Sequence, residues 1–164
     1  MQRIAIIGAG PGGICAGIHL KQAGHEDFVI LEQAGGVGGT WWHNSYPGCA
    51  CDVPSHLYSF SFALKRDWPR PYATQPEIRA YMEDCVARFG LWPHIRLKTP
   101  VSAARWIETQ AAWELTLADG GTLQAEVLVG AVGMFNLPAW PAIAGLVRFA
   151  GTVFHSARWN HAHD

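Results

Sequence analysis

Two short continuous apolar runs, Ile4-Ala5-Ile6-Ile7 and Phe28-Val29-Ile30-Leu31, bracket a stretch in which Ile14, Ile18 and Leu20 recur at helical spacing. Continuous runs of this length suit parallel strands buried on both faces. Residues 1–31 therefore predict a strand–helix–strand unit whose helix starts near Gly12 or Gly13 and stops at Gly24. From Gly35 to about Arg70 the pattern becomes irregular and rich in Gly, Pro, Trp, Tyr and Ser, and unstructured stretches of this length tend to carry function. Thr74-Gln75-Pro76-Glu77 then combines an N-cap, a first-turn proline and a capping-box glutamate, followed by Ile78, Tyr81, Met82, Cys85, Val86 and Phe89 at helical spacing and a stop at Gly90. Ile95–Lys98, Val101–Ile107, Ala112–Leu117 and Thr122–Val132 read as strands, with Asp119-Gly120 as a hairpin turn. Val127-Leu128-Val129 forms another continuous run, suited to a central parallel position.

A length of 164 residues suits a single core, and 49% hydrophobic against 15% charged residues excludes disorder. The formal charge of −1 leaves no electrostatic footprint for nucleic acid or for an anionic membrane surface. No apolar run reaches the ~20 residues of a membrane-spanning helix, and no signal-like start is present. The expectation is a cytoplasmic protein with reduced thiols at Cys15, Cys49, Cys51 and Cys85 and with small-molecule partners.

The strongest local signal is Gly8-Ala9-Gly10-Pro11-Gly12-Gly13, placed between a predicted strand and a predicted helix. Gly8 permits a tight turn, Gly10 lets backbone approach a pyrophosphate, Gly13 lets helix pack on strand, and the helix N-terminus offers free amides to the anion. Glu32, nineteen residues after Gly13, ends the second strand, where a carboxylate accepts hydrogen bonds from ribose hydroxyls and repels a 2′-phosphate. This pairing predicts a Rossmann-like site for FAD or NAD. A second cluster, Gly35-Gly36-Val37-Gly38-Gly39, followed by Thr40-Trp41-Trp42, favours FAD, because glycines let main chain lie against a long flat cofactor and aromatics flank a ring system. Cys49-x-Cys51 with His43 and His56 lacks the paired ligand spacing of structural zinc modules. On the residues alone, Asp52 reads as a turn acid and Tyr58 as a packed aromatic.

Gly38-Gly39-Thr40-Trp41, Tyr46-Pro47-Gly48, Cys51-Asp52-Val53-Pro54-Ser55 and Tyr58-Ser59-Phe60-Ser61-Phe62 resemble the flavin-binding region of Baeyer–Villiger monooxygenases. Phe149-x-Gly151-x-x-x-His155-x-x-x-Trp159 resembles that family's fingerprint, with Asn160 where Pro or Asp normally follows, and Gly130-Ala131-Val132-Gly133 resembles its Ala-Thr-Gly turn. The resemblance implies an α/β fold: a Rossmann-like FAD-binding domain, with a parallel sheet and flanking helices, plus a β-meander, as the first portion of a two-dinucleotide-binding-domain flavoprotein. Residues 1–146 would form the FAD-binding portion, and residues 147–164 a linker carrying the fingerprint. By the same resemblance Gly8, Gly10, Pro11, Gly12 and Gly13 hold the FAD pyrophosphate and Glu32 its ribose. Gly38, Gly39, Thr40 and Trp41 line the path toward the isoalloxazine, Val101 offers a backbone contact to the adenine, and Tyr58 touches the flavin. Asp52 matches the active-site aspartate, which orients an arginine supplied by a second domain.

The implied reaction uses NADPH, FAD and O2 to convert a ketone into an ester or lactone. No second Gly-x-Gly-x-x-Gly follows Trp159, so the sequence is expected to be an N-terminal fragment that is inactive alone. N- or S-oxygenation of a soft nucleophile and a non-catalytic FAD-binding module remain the alternative readings.

Overall fold

The computed structural model describes residues 2–163. In chain order the elements are β1 (Gln2–Ile7), α1 (Pro11–Gln22), β2 (Phe28–Leu31), the single-turn α2 (Thr40–His43), α3 (Gln75–Arg88), β3 (Ile95–Arg96), β4 (Val101–Ile107), β5 (Ala112–Leu117) and β6 (Thr122–Gly130). They build one six-stranded sheet in the order β3-β2-β1-β6-β5-β4. The β3-β2-β1-β6 half is parallel and the β6-β5-β4 half is an antiparallel meander. Strand β6 joins the halves: Thr122 to Ala125 pair with β5, whereas Ala125 to Gly130 pair with β1.

Alternation along the strands separates two cores. Ile4, Ile6, Phe28 and Ile30 face Ile14 and Ile18 of α1 and Ile78, Met82 and Val86 of α3. Ala5, Val29 and Leu31 point the other way, into a smaller cluster completed by Leu115 and Ala125 of the meander. Helix α1 starts at Pro11, one residue before the earliest expected start, since proline needs no N–H donor there. The first strand after α3 stops at Arg96 rather than Lys98, because Lys98 turns into left-handed backbone with φ +54°. Strand β6 ends at Gly130, short of the expected Val132. Its central position holds, but full burial of Val127-Leu128-Val129 does not: Val127 is 47% exposed, because α1 packs over β1 and β2 rather than β6.

The irregular stretch between α2 and α3 is pinned to α3 through its backbone. Ala50 bridges Thr74, the Cys51 amide donates to Ala73 O at 2.9 Å, and the Gln75 amide donates to Cys49 O at 2.9 Å. The Ser55 hydroxyl, fully buried, contacts the carbonyls of Arg70 and Pro71. Tyr81 holds the far end: its phenol donates to Ala63 O at 2.9 Å and accepts from the Phe60 amide at 2.8 Å. Burial pushes that phenol's pKa up to about 12, so it stays a neutral donor at physiological pH. Tyr81→Phe leaves a buried N–H and C=O without their partner and is expected to cost about 1–3 kcal/mol. Urea unfolding monitored by tryptophan fluorescence checks this, and an unchanged midpoint would contradict it.

Candidate functional site

The end of β1 and the start of α1 are shaped by what glycine lacks. Gly8 sits at φ +103° and donates its amide to Leu31 O at 2.8 Å; a Cβ there would lie 2.5 Å from Ala131 O. A Cβ on Gly13 would run into the Gly8 carbonyl oxygen, so only glycine lets α1 leave the sheet this closely. Gly10, in extended backbone, is the N-cap of α1 and carries no capping side chain. The positive end of the helix thus opens on whatever lies before it.

Glu32 is only 4% exposed. Its Oε2 accepts from the Ala9 amide and its Oε1 from the Ala34 amide, both at 2.7 Å. The strand end is further fixed by donation from the Thr99 amide to Glu32 O at 2.8 Å and from the Lys98 amide to Ala34 O at 2.9 Å. This brings the chain just before β4 beside β2.

The second glycine cluster packs on protein. The Gly38 amide donates to Ala9 O at 2.9 Å, and Gly39, at φ +57°, lies so near Gly10 that a Cβ would stand 2.9 Å from the Gly10 Cα. Gly36 lies under the Trp42 indole, over which the Arg79 guanidinium sits at 4.1 Å. Much of the requirement for glycine here therefore comes from loop-on-loop contact within the chain.

These segments enclose a groove of about 300 Å³. Gly8, Gly10, Pro11, Gly12, Glu32, Gly39, Thr40 and Val101, all expected at the site, line it. Gly13 lies behind it in the helix–strand contact, and Gly38 acts as the tether to Ala9. Trp41 is buried in the core beside the groove, donating its indole N–H to the Tyr58 hydroxyl at 2.9 Å with the two rings edge to face. Burial pushes the Tyr58 phenol pKa up. Asp52 is exposed in the bend after the Ala50 bridge, and neither it nor Tyr58 is among the groove's lining residues.

Sequence reasoning missed Gln33, His43, Asn44, Thr99, Phe135 and Asn136, which also line the groove. The only available signal was adjacency to the glycine clusters for the first three; the others arrive from distant segments without periodicity. The stretch after β6 returns over the site, and the C-terminal residues reach its rim: Ser45 Oγ lies 2.8 Å from His161 Nε2, and Tyr46 meets the Trp159 ring. The His155 ring accepts from the Ala157 amide at 3.0 Å and so caps the one-turn 3-10 helix Ser156–Arg158.

His43 is the titratable imidazole in the groove wall. Burial pushes its pKa down, the Arg158 guanidinium acts in the same direction, and the Glu32 carboxylate opposes them. With the folded-state value below the unfolded ~6.5, the unfolded chain takes up the proton first as pH falls. The associated stability is present above about pH 6.5 and is lost as pH falls through the folded value. His43→Gln is expected to flatten the acid side of the stability profile. Denaturation midpoints between about pH 7.5 and 5 test it, and parallel profiles would remove His43 as the source.

A glycine turn at the C-terminal end of β1, an open helix N-terminus and a carboxylate at the end of β2 define a dinucleotide-binding α/β domain. The chain belongs to the pyridine nucleotide-disulphide oxidoreductase family, whose pattern matches residues 5–164. A Baeyer–Villiger monooxygenase of Streptomyces coelicolor is 53% identical over 162 residues, covering 99% of this chain and 31% of that protein. Among solved structures, cyclohexanone monooxygenase from Rhodococcus sp. Phi1 bound to NADP+ superposes with a TM-score of 0.88 at 39% identity, over 99% of this chain and 31% of that one. The OTEMO complex with FAD and NADP superposes with a TM-score of 0.89 at 35% identity, over 98% of this chain and 31% of that one. The resemblance stated from the motifs therefore extends over nearly the whole chain, and the chain spans about a third of the length of these relatives. No helix among the described residues is long and apolar enough to cross a membrane.

Proposed function

We propose that the chain is the N-terminal FAD-binding part of a Baeyer–Villiger-type monooxygenase, which uses NADPH and O2 to turn a ketone into an ester or lactone. The observation that carries this is the single groove formed by the Gly8–Gly12 turn, the start of α1 and Glu32. Its donor set fits FAD. The uncapped N-terminus of α1 suits a diphosphate, the Glu32 carboxylate accepts from ribose hydroxyls, and Ile7, Leu31 and Val101 offer apolar wall to a flat heterocycle.

Once bound, FAD supplies the redox and oxygen chemistry. The chain's own contribution is to bind and orient. Gly8, Gly10, Pro11 and Gly12 form the diphosphate cradle, Gly13 and Gly38 hold that cradle in shape, Glu32 takes the ribose and the Val101 backbone meets the adenine. Gly39 and Thr40 continue the wall, with Trp41 and Tyr58 locked together behind it by the indole-to-phenol hydrogen bond. Asp52, exposed, is available to orient a cationic side chain from outside this segment. Residues 147–164 serve as the linker, docked through Ser45 and Tyr46. A cytoplasmic setting agrees with four free cysteines.

The test is titration of FAD with the purified chain, followed by flavin fluorescence and by co-elution in gel filtration. Retention of FAD is expected, and flavin that stays fully fluorescent and elutes separately overturns the reading. For the longer protein, NADPH- and ketone-dependent O2 uptake with lactone formation is expected.

A further inference from the structure

From the two short bonds to Glu32 we infer that this carboxylate is a positioning residue: it staples the two glycine loops together and assembles the groove before any cofactor arrives. The inference rests on the cofactor reading for what the assembled groove serves, but the staple itself is a property of the cofactor-free chain.

The geometry has three parts. Glu32 Oε2 and Oε1 each accept one backbone amide at 2.7 Å, from Ala9 in the first loop and from Ala34 at the start of the second. Ala9, fully buried, returns the connection by accepting from the Gly38 amide at 2.9 Å. Gly39 then rests against Gly10, the N-cap of α1. The carboxylate, the Ala9 peptide and the Gly38 amide form a closed set of bonds around the turn.

A buried carboxylate is costly unless charge-assisted hydrogen bonds offset its lost hydration, and two amide donors meet that requirement without a ligand. An ionised carboxylate has about four lone-pair positions, so two acceptor positions stay free for ribose hydroxyls. The staple and sugar recognition are therefore compatible, and the loops need not be ordered at the expense of binding free energy. Glutamine cannot replace the acid here. Its carbonyl satisfies one amide, while its NH2 group meets the other N–H donor to donor.

Amide hydrogen exchange of the cofactor-free chain tests this directly. In the native sequence the amides of Ala9 and Ala34 are expected to be protected without FAD; exchange at the rate of an open peptide overturns the proposal whatever the variants do. In Glu32→Gln, which keeps an acceptor for only one of the two amides, exchange is expected to rise on the order of tenfold or more at the loop whose amide meets the NH2 group, while α3 keeps its protection. Glu32→Asp, one methylene shorter, is expected to restore protection in one loop only. FAD affinity is measured alongside and is expected to fall on the order of tenfold in Glu32→Gln. Weaker FAD binding with unchanged exchange would mean that Glu32 serves the ribose alone, which sinks the staple and leaves the cofactor reading standing. Faster loop exchange in Glu32→Gln of a protein that never binds FAD would keep the staple and sink the cofactor reading.

Discussion

Gly13→Ala is expected to destabilise the protein severely, with a fall in melting temperature of roughly 6–12 °C or more and no retained FAD. The Cβ of an alanine here would overlap the carbonyl oxygen of Gly8. That oxygen is main chain, so no side chain can swing aside, and relief requires α1 to move off β1. The helix carries Ile14 and Ile18, both fully buried against the sheet, and moving it opens the larger core. Overpacking in cores costs about 1–3 kcal/mol and more where backbone must shift, a large share of the 5–15 kcal/mol that ordinarily separates folded from unfolded chains. Thermal unfolding followed by circular dichroism reads the effect. A melting temperature within about 2 °C of the native value would show that the close helix–strand approach is unnecessary.

Gly10→Val is expected to act on the ligand rather than on the fold. Gly10 has φ −76° and ψ −175°, an extended backbone open to any residue, and its nearest neighbour on that side is the Gly39 Cα, 3.5 Å from where a Cβ would sit. Ordinary van der Waals contact of this kind leaves α1 and β1 in place. The branched side chain instead fills the approach to the N-terminus of α1, where a diphosphate must come within hydrogen-bond distance of backbone amides. Losing two or more charge-assisted bonds weakens binding on the order of 100-fold or more. Equilibrium binding of FAD and a thermal melt on the same preparation separate the two variants: Gly13→Ala loses both properties, Gly10→Val keeps the melt and loses the flavin. Undiminished FAD retention in Gly10→Val would remove the proposed role of the loop.

The elements legible in the sequence are those specified by neighbours in the chain. Thr74 and Glu77 announce the capping box of α3, and both halves of it form, because cap and acid are three residues apart and need nothing else. Val101–Ile107 and Ala112–Leu117 occur with the expected limits, on either side of a short connection, and pair in one register from Ala103 to Ile107, with a shift between Val101 and Ala103. The glycine roles were also accessible, since a tight turn and a close helix approach are local steric demands. Lys98 was not: nothing in its own chemistry predicts φ +54°, which is imposed by the bonds that draw residues 98 and 99 to Ala34 and Glu32. The packing reason for the second glycine cluster was likewise hidden, because Gly36 answers to Trp42 and Gly39 to Gly10 only after the chain has folded back.

Taken alone, the order of residues determines that a glycine turn stands between a buried strand and a helix, that an acid ends the next strand, and that the motifs match one family of flavin enzymes. Steric limits on backbone and the periods of helix and strand act over a few residues, so they are written in consecutive letters. Only the tertiary structure decides that Thr99, Val101 and the stretch from Ala131 to Asn136 close the same groove, and that the carboxylate of Glu32 is held by amides from two loops. Those meetings are set by strand order and by the return of β6 to the centre of the sheet, and contacts between residues so far apart in the chain leave no periodic trace in it.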